Sequence, residues 1–181
     1  MTKNRIVLNG EAFGKSEIEE LAKAFAKNIS KGDVILLEGA VGVGKTFLSR
    51  AIINARCVID GLQVEEVPSP TFSLIQDYDL KNFSILHLDL YRLKNQTDLI
   101  ELDIPDIFYD NVVLLEWPNL IYKVLPPRFM VFCIFQNKHY PKLRDVELKF
   151  FGDGWENFYQ SPYIENSLSN GYINKSRRLR D

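Results

Sequence analysis

Two cysteines and two histidines in 181 residues leave little material for a disulfide framework or an all-protein metal cage. Cys57 and Cys133 stand far apart, with neither CxxC spacing nor a histidine beside them, which predicts structural thiols in a reducing compartment. Long hydrophobic runs are also missing. Nothing approaches the roughly 18 to 20 apolar residues of a membrane span, and stretches such as Val112–Leu115 are strand-sized. No apolar h-region follows Met1-Thr-Lys-Asn-Arg5, so a secretory signal is not expected and the cytoplasm is the expected location. A large excess of one charge is absent as well: the net charge is −2. It divides unevenly, with +3 on residues 175–181 and −5 on the rest. A mildly acidic body argues against a nucleic-acid platform, and neither DNA nor membrane is expected as a partner. What is present, 46% apolar and 25% charged residues, suffices for one domain with a core and excludes disorder throughout.

Ser16-Glu-Ile-Glu19 has the form of a capping box. Ile18, Leu21, Ala22, Phe25 and Ile29 then recur at helical spacing up to Lys31-Gly32-Asp33. Val34–Leu37 is an apolar run of the kind buried on both faces of a sheet. A glycine-punctuated turn over Gly39–Gly44 leads into a helix over Thr46–Arg56. Pro68-Ser-Pro70 forbids regular structure. Thr71–Tyr78 and Phe83–Asp89 read as a hairpin, and Thr97–Leu102 as a short helix ended by Pro105. Val112–Leu115, Phe129–Phe135 and Val146–Phe151 are further strands. After Gly152 the periodicity fades, so residues 1–152 are expected to form the domain and 153–181 a weakly ordered extension.

Gly39-Ala-Val-Gly-Val-Gly-Lys45-Thr46 fits G-x-x-x-x-G-K-[ST] between a buried strand and a helix. Glycines let successive N–H groups turn inward on phosphate oxygens, and the helix that follows presents its positive end to them. Lys45 supplies an ammonium for the β- and γ-phosphates, and Thr46 a hydroxyl for Mg²⁺. Such a site needs an acid at the end of a neighbouring strand. Glu116, after the purer apolar run, is the better candidate, and Asp89 competes with it. His87 and Tyr91 share Asp89's face, with Arg92 just beyond. His87 reads more readily as a hydrogen-bonded structural residue than as a metal ligand, and His139 as an exposed turn residue. Ser69, Thr71 and Asp77 lie where a switch-like loop would close. Trp117 is either core or a neighbour of the ligand.

These motifs occur in a known order. The loop Gly39–Thr46, then Ser69-Pro-Thr-Phe72, His87-Leu-Asp-Leu-Tyr-Arg92 and Glu116-Trp-Pro118, together resemble the TsaE family of ATPases supporting threonylcarbamoyladenosine synthesis on tRNA. The resemblance spans roughly residues 5–150. It implies an α/β P-loop NTPase fold: a mixed, mostly parallel sheet flanked by helices, with a hairpin and late antiparallel strands. It also implies ATP and Mg²⁺ as cofactors. Gly39, Val41, Gly42, Val43, Gly44, Lys45 and Thr46 would surround the phosphates, with Thr46 and Glu116 at the metal. Lys45, Asp89 and Glu116 would be catalytic, Thr71 would cover the γ-phosphate, and Trp117 would face the partner-sensitive side. Arg144 is the nearest match to a polar late-strand position by the nucleotide, and Ser16 to a contact near the base. TsaD and TsaB would be the protein partners, and tRNA would be reached through them.

Slow intrinsic turnover is expected, because none of Arg50, Arg92 and Arg128 is marked as an arginine finger. The same loop would also serve a small-molecule kinase acting on a nucleoside or nucleotide, or a module that ATP occupancy alone switches. No N/TKxD guanine-reading motif is recognisable, in keeping with ATP.

Overall fold

The computed structural model describes residues 5–63, 66–100 and 104–169. Its elements are β1 (Arg5–Phe13), α1 (Lys15–Asn28), β2 (Val34–Glu38), α2 (Lys45–Ile59), β3 (Ile75–Asp79), β4 (Ser84–Asp89), α3 (Gln96–Ile100), α4 (Ile104–Asp110) and β5 (Asn111–Glu116). After a short 3₁₀ turn at Pro118–Leu120 come β6 (Phe129–Gln136), β7 (Arg144–Phe151), α5 (Glu156–Tyr159) and α6 (Pro162–Ser169). No helix among the described residues is long and apolar enough to cross a membrane.

One seven-stranded sheet in the order β1-β7-β6-β2-β5-β4-β3 organises the molecule. β6, β2, β5 and β4 pair in parallel, while β3 and β7 pair antiparallel to their neighbours. β1 is antiparallel to β7 and so runs with the central four, giving a mostly parallel P-loop fold. The central strands are largely apolar because both faces are covered, with His87, Asp89 and Glu116 as buried exceptions. Ile35 and Leu37 join one core with α1 and α2, whereas Val34 and Leu36 join the other, with Leu99, Ile104 and Phe108.

Four local expectations differ from the structure. β1 had no signal, because Asn9, Gly10 and Glu11 interrupt its alternation; pairing with β7 supplies its order, with a bulge between Gly10 and Phe13. The capping box does not form. α1 begins at Lys15 with Gly14 as its uncapped N-cap, so Ser16 already lies inside the first turn, and its hydroxyl donates to Glu17 Oε2 at 3.0 Å. Pro105 stands within the first turn of α4, where its missing N–H costs nothing; the end of the expected Thr97–Leu102 helix falls in 101–103, outside the described residues.

The largest difference is in the expected weakly ordered extension. From Glu156 to Ser169 the chain holds two helices, and Trp155, Phe158, Ile164 and Leu168 are buried in the core beside α1. Phe158 meets Phe25 edge-on at 5.4 Å. Arg128 clasps the turn before these helices. It pairs with buried Asp33, donates to the Asp153 and Gly154 carbonyls at 3.0 Å each, and stacks 3.8 Å over Trp155. Residues 170–181, with the basic run 175–181, lie outside the described residues.

Neither Cys57 nor Cys133 is in a disulfide. Burial, reinforced by the Glu38 carboxylate at 3.4 Å, pushes the Cys133 thiol up to about 12, although Lys149 works against it. At neutral pH that thiol is therefore protonated and a poor nucleophile. In a Cys57→Ser protein, Cys133 is expected to react with DTNB only once guanidinium unfolds the chain. Rapid labelling of the folded protein would contradict this environment.

Candidate functional site

β2 ends at Glu38, and the loop Gly39–Gly44 carries the chain into α2. Gly39 has φ 144°, and a Cβ there would stand 2.4 Å from the Ile134 carbonyl oxygen, so backbone approach and dihedral both demand glycine. Gly44, at φ 120°, is the N-cap of α2 and offers no side chain to cap it. The first N–H groups of this helix have no partner within the helix. The loop and this helix end form one wall of a cleft of about 340 Å³.

Adjacent strand ends form the opposite wall. Parallel pairing sets Asp89, the last residue of β4, beside Glu116, the last of β5. Glu116 is buried: its Oε2 accepts from the Thr46 hydroxyl at 3.0 Å, and its Oε1 bonds His87 Nε2 at 2.8 Å. Asp89, also buried, accepts from the Thr71 hydroxyl at 2.6 Å and from the Tyr91 N–H at 2.9 Å. Ser69 stands 2.9 Å from Thr71 and so supports the Pro-bounded loop.

Lys45 is only 4% exposed. Its ammonium donates to the Gly39 and Ala40 carbonyls at 2.8 and 2.9 Å and lies 3.8 Å from the Trp117 ring centroid. Burial lowers its pKa, while the Glu116 and Asp89 carboxylates pull it back up. Trp117 adopts the left-handed region at φ 62°, unusual for a bulky residue, and its ring packs 4.9 Å from that of Tyr91. Of the two positions left open by sequence, Trp117 takes the one that lines the cleft.

Val41, Gly42, Gly44, Lys45, Thr46, Thr71, Asp89, Glu116 and Trp117 all line this cleft. Gly39, Val43, Ser16 and Arg144 do not. Gly39 acts through its backbone, and the Val43 side chain is buried in the core. Ser16 is turned to Glu17, and Arg144 donates from Nε to the Val43 carbonyl at 2.7 Å, bracing the loop from behind. Asp77 is exposed on β3, and His139 sits in the β6–β7 turn with its N–H on Asn137. The three arginines considered as fingers are engaged elsewhere. Arg50 binds the Val67 carbonyl, Arg92 stacks on Phe72, and Arg128 holds Asp33.

Two lining residues were given no site role from sequence, Phe47 and Tyr91. Tyr91 carried a signal, since it shares a face with Asp89 two residues away. Phe47 carried none, because an apolar side chain in the first turn of α2 reads equally well as core, where its neighbour Leu48 lies.

The family model for the threonylcarbamoyl adenosine biosynthesis protein TsaE matches residues 14–144. The chain belongs to the TsaE family. It is 38% identical over 122 residues to the tRNA threonylcarbamoyladenosine biosynthesis protein TsaE of Rickettsia felis, covering 67% of each chain. With the Rickettsia bellii protein of the same description, identity is 38% over 126 residues, covering 70% of this chain and 82% of the relative. Among solved structures, Bacillus subtilis YdiB superposes with a TM-score of 0.60 at 24% identity, over 92% of this chain and 97% of that one, which supports the fold. Family membership places the protein in tRNA threonylcarbamoyladenosine biosynthesis.

Proposed function

We propose that the protein is an Mg²⁺-dependent, ATP-binding and slowly hydrolysing member of this family, acting in the cytoplasm on a TsaD–TsaB complex and reaching tRNA through it. The observation that carries the reading is convergence. An uncapped helix start, a buried lysine, a hydroxyl and two buried carboxylates from separate elements face one cleft. The donor set fits the cofactors. No group of three or more His, Cys, Asp and Glu among the described residues could cage a metal. Thr46 and Glu116 offer hard oxygen ligands of the kind Mg²⁺ takes when phosphate and water complete its shell.

In this reading the loop N–H groups bind the phosphates, and Lys45 exchanges its two carbonyl partners for phosphate oxygens. Thr46 and Glu116 would hold the metal, which would supply charge neutralisation at the phosphoryl group. Asp89, held by Thr71 and the Tyr91 N–H, orients the attacking water or the metal's shell. With no arginine among the described residues that line the cleft, turnover by the isolated protein is expected on the order of 10⁻⁴ to 10⁻³ s⁻¹.

The test is phosphate release from MgATP by the protein alone and with TsaD and TsaB, with and without tRNA. Little release alone and a clear rise with partners is the expected result. Turnover near 10 s⁻¹ by the protein alone would sink the partner-coupled reading, and labelled phosphate on a nucleoside acceptor would replace it with a kinase.

A further inference from the structure

His87 has no part in the chemistry described above, yet it is completely buried on β4. Its register partners are Leu114 on β5 and Gln76 on β3. Its Nε2 lies 2.8 Å from Glu116 Oε1. A carboxylate only accepts, so Nε2 carries the proton. Nδ1 is buried with no hydrogen-bond partner among the described residues. Among the described residues only Glu116 therefore uses this ring's polar atoms, an expensive arrangement for a core position that a leucine would fill. We propose that His87 is a positioning residue for Glu116, fixing the carboxylate so that Oε2 stays on Thr46 and in place for the metal.

Two facts say why such a restraint is needed. The β5 backbone at Glu116 is held by β2 and β4, but the side chain beyond it has rotatable bonds that strand pairing does not restrain. The buried Lys45 ammonium is electrostatically coupled to Glu116 and would draw a released carboxylate toward itself. The His87 bond occupies one oxygen and leaves the other directed at Thr46. Partners of this kind behind a metal ligand are worth about 10- to 100-fold in metal affinity or activity.

The inference rests on the Mg²⁺–ATP reading of the cleft, and the experiment separates the two. The full chain is compared with His87→Leu, which fills the space without a donor, and His87→Gln, whose amide N–H reaches nearly as far as Nε2. ATP binding is measured in EDTA, and Mg²⁺ is then titrated into the ATP-bound protein with tryptophan fluorescence and phosphate release as readouts. His87→Leu is expected to raise the Mg²⁺ half-saturation about 10- to 100-fold, to lower kcat, and to leave binding in EDTA within about twofold. His87→Gln is expected to recover most of the loss. Should His87→Leu fail to fold, His87→Asn, whose amide falls short of Glu116, takes its place. Equal Mg²⁺ dependence in all folded variants, equal impairment of Leu (or Asn) and Gln, or loss of binding in EDTA as well would overturn the positioning role. Wild-type protein that binds no ATP under either condition would overturn the nucleotide reading itself, and this inference with it.

Discussion

Lys45→Ala is expected to weaken MgATP binding by about 30-fold to several thousand-fold, the cost of removing one partner from a desolvated charge pair. The nucleotide-free protein should stay folded, with a melting temperature within a few degrees of wild type. The reasoning follows from where the side chain sits. Its ammonium is buried against the Gly39 and Ala40 carbonyls and the face of Trp117. Alanine removes these contacts but also removes a buried cation whose desolvation lowers its pKa, so the two effects offset in the free protein. Bound triphosphate leaves no such offset. Calorimetric titration and a thermal melt on the same preparation check both halves. A large drop in nucleotide-free stability would show that Lys45 serves the fold of the loop rather than the phosphates.

Trp155→Ala is expected to cost about 3 to 5 kcal/mol, which for a chain of this size lowers the melting temperature by about 6 to 20 °C. Trp155 is 1% exposed and packs against Phe150 at 5.7 Å and Phe158 at 5.2 Å between ring centroids. Its Nε1–H donates to the Phe151 carbonyl at 2.9 Å, and Arg128 covers its face. Removing it opens a hole beneath α5 and α6, takes the indole donor from the Phe151 carbonyl, and unseats the arginine that pairs with Asp33. A melt indistinguishable from wild type would mean that 153–169 is an appendage after all. The cleft lies at the other end of the strands, so ATP affinity of the variant at low temperature should be unchanged.

The two predictions fall on opposite sides of what could be read in advance. The residues around Lys45 were legible because a P-loop is a local device. Glycine spacing, a buried strand before it and a helix after it lie within about 25 consecutive residues, and each leaves a mark in composition or period. Glu116 and Asp89 were legible for a related reason: each ends an apolar strand, and parallel strands end together. Trp155 was not legible. It precedes helices of four and eight residues, too short to show an amphipathic period, in a stretch rich in Asn, Ser and Tyr. The missing capping box shows the same limit at finer scale, since a shift of two residues in where α1 begins moved Ser16 out of the cap.

By itself, then, the sequence determined the phosphate-type loop, the buried parallel strands and the two acids at their ends, because spacing and burial along the chain specify these. Only the tertiary structure decided that His87 holds Glu116, that Trp117 covers Lys45, that Arg144 braces Val43 from behind, and that α5 and α6 complete the core against α1. Those contacts join residues roughly 30 to 140 positions apart. Strand register and side-chain packing set them, and neither leaves a periodic trace in a single sequence.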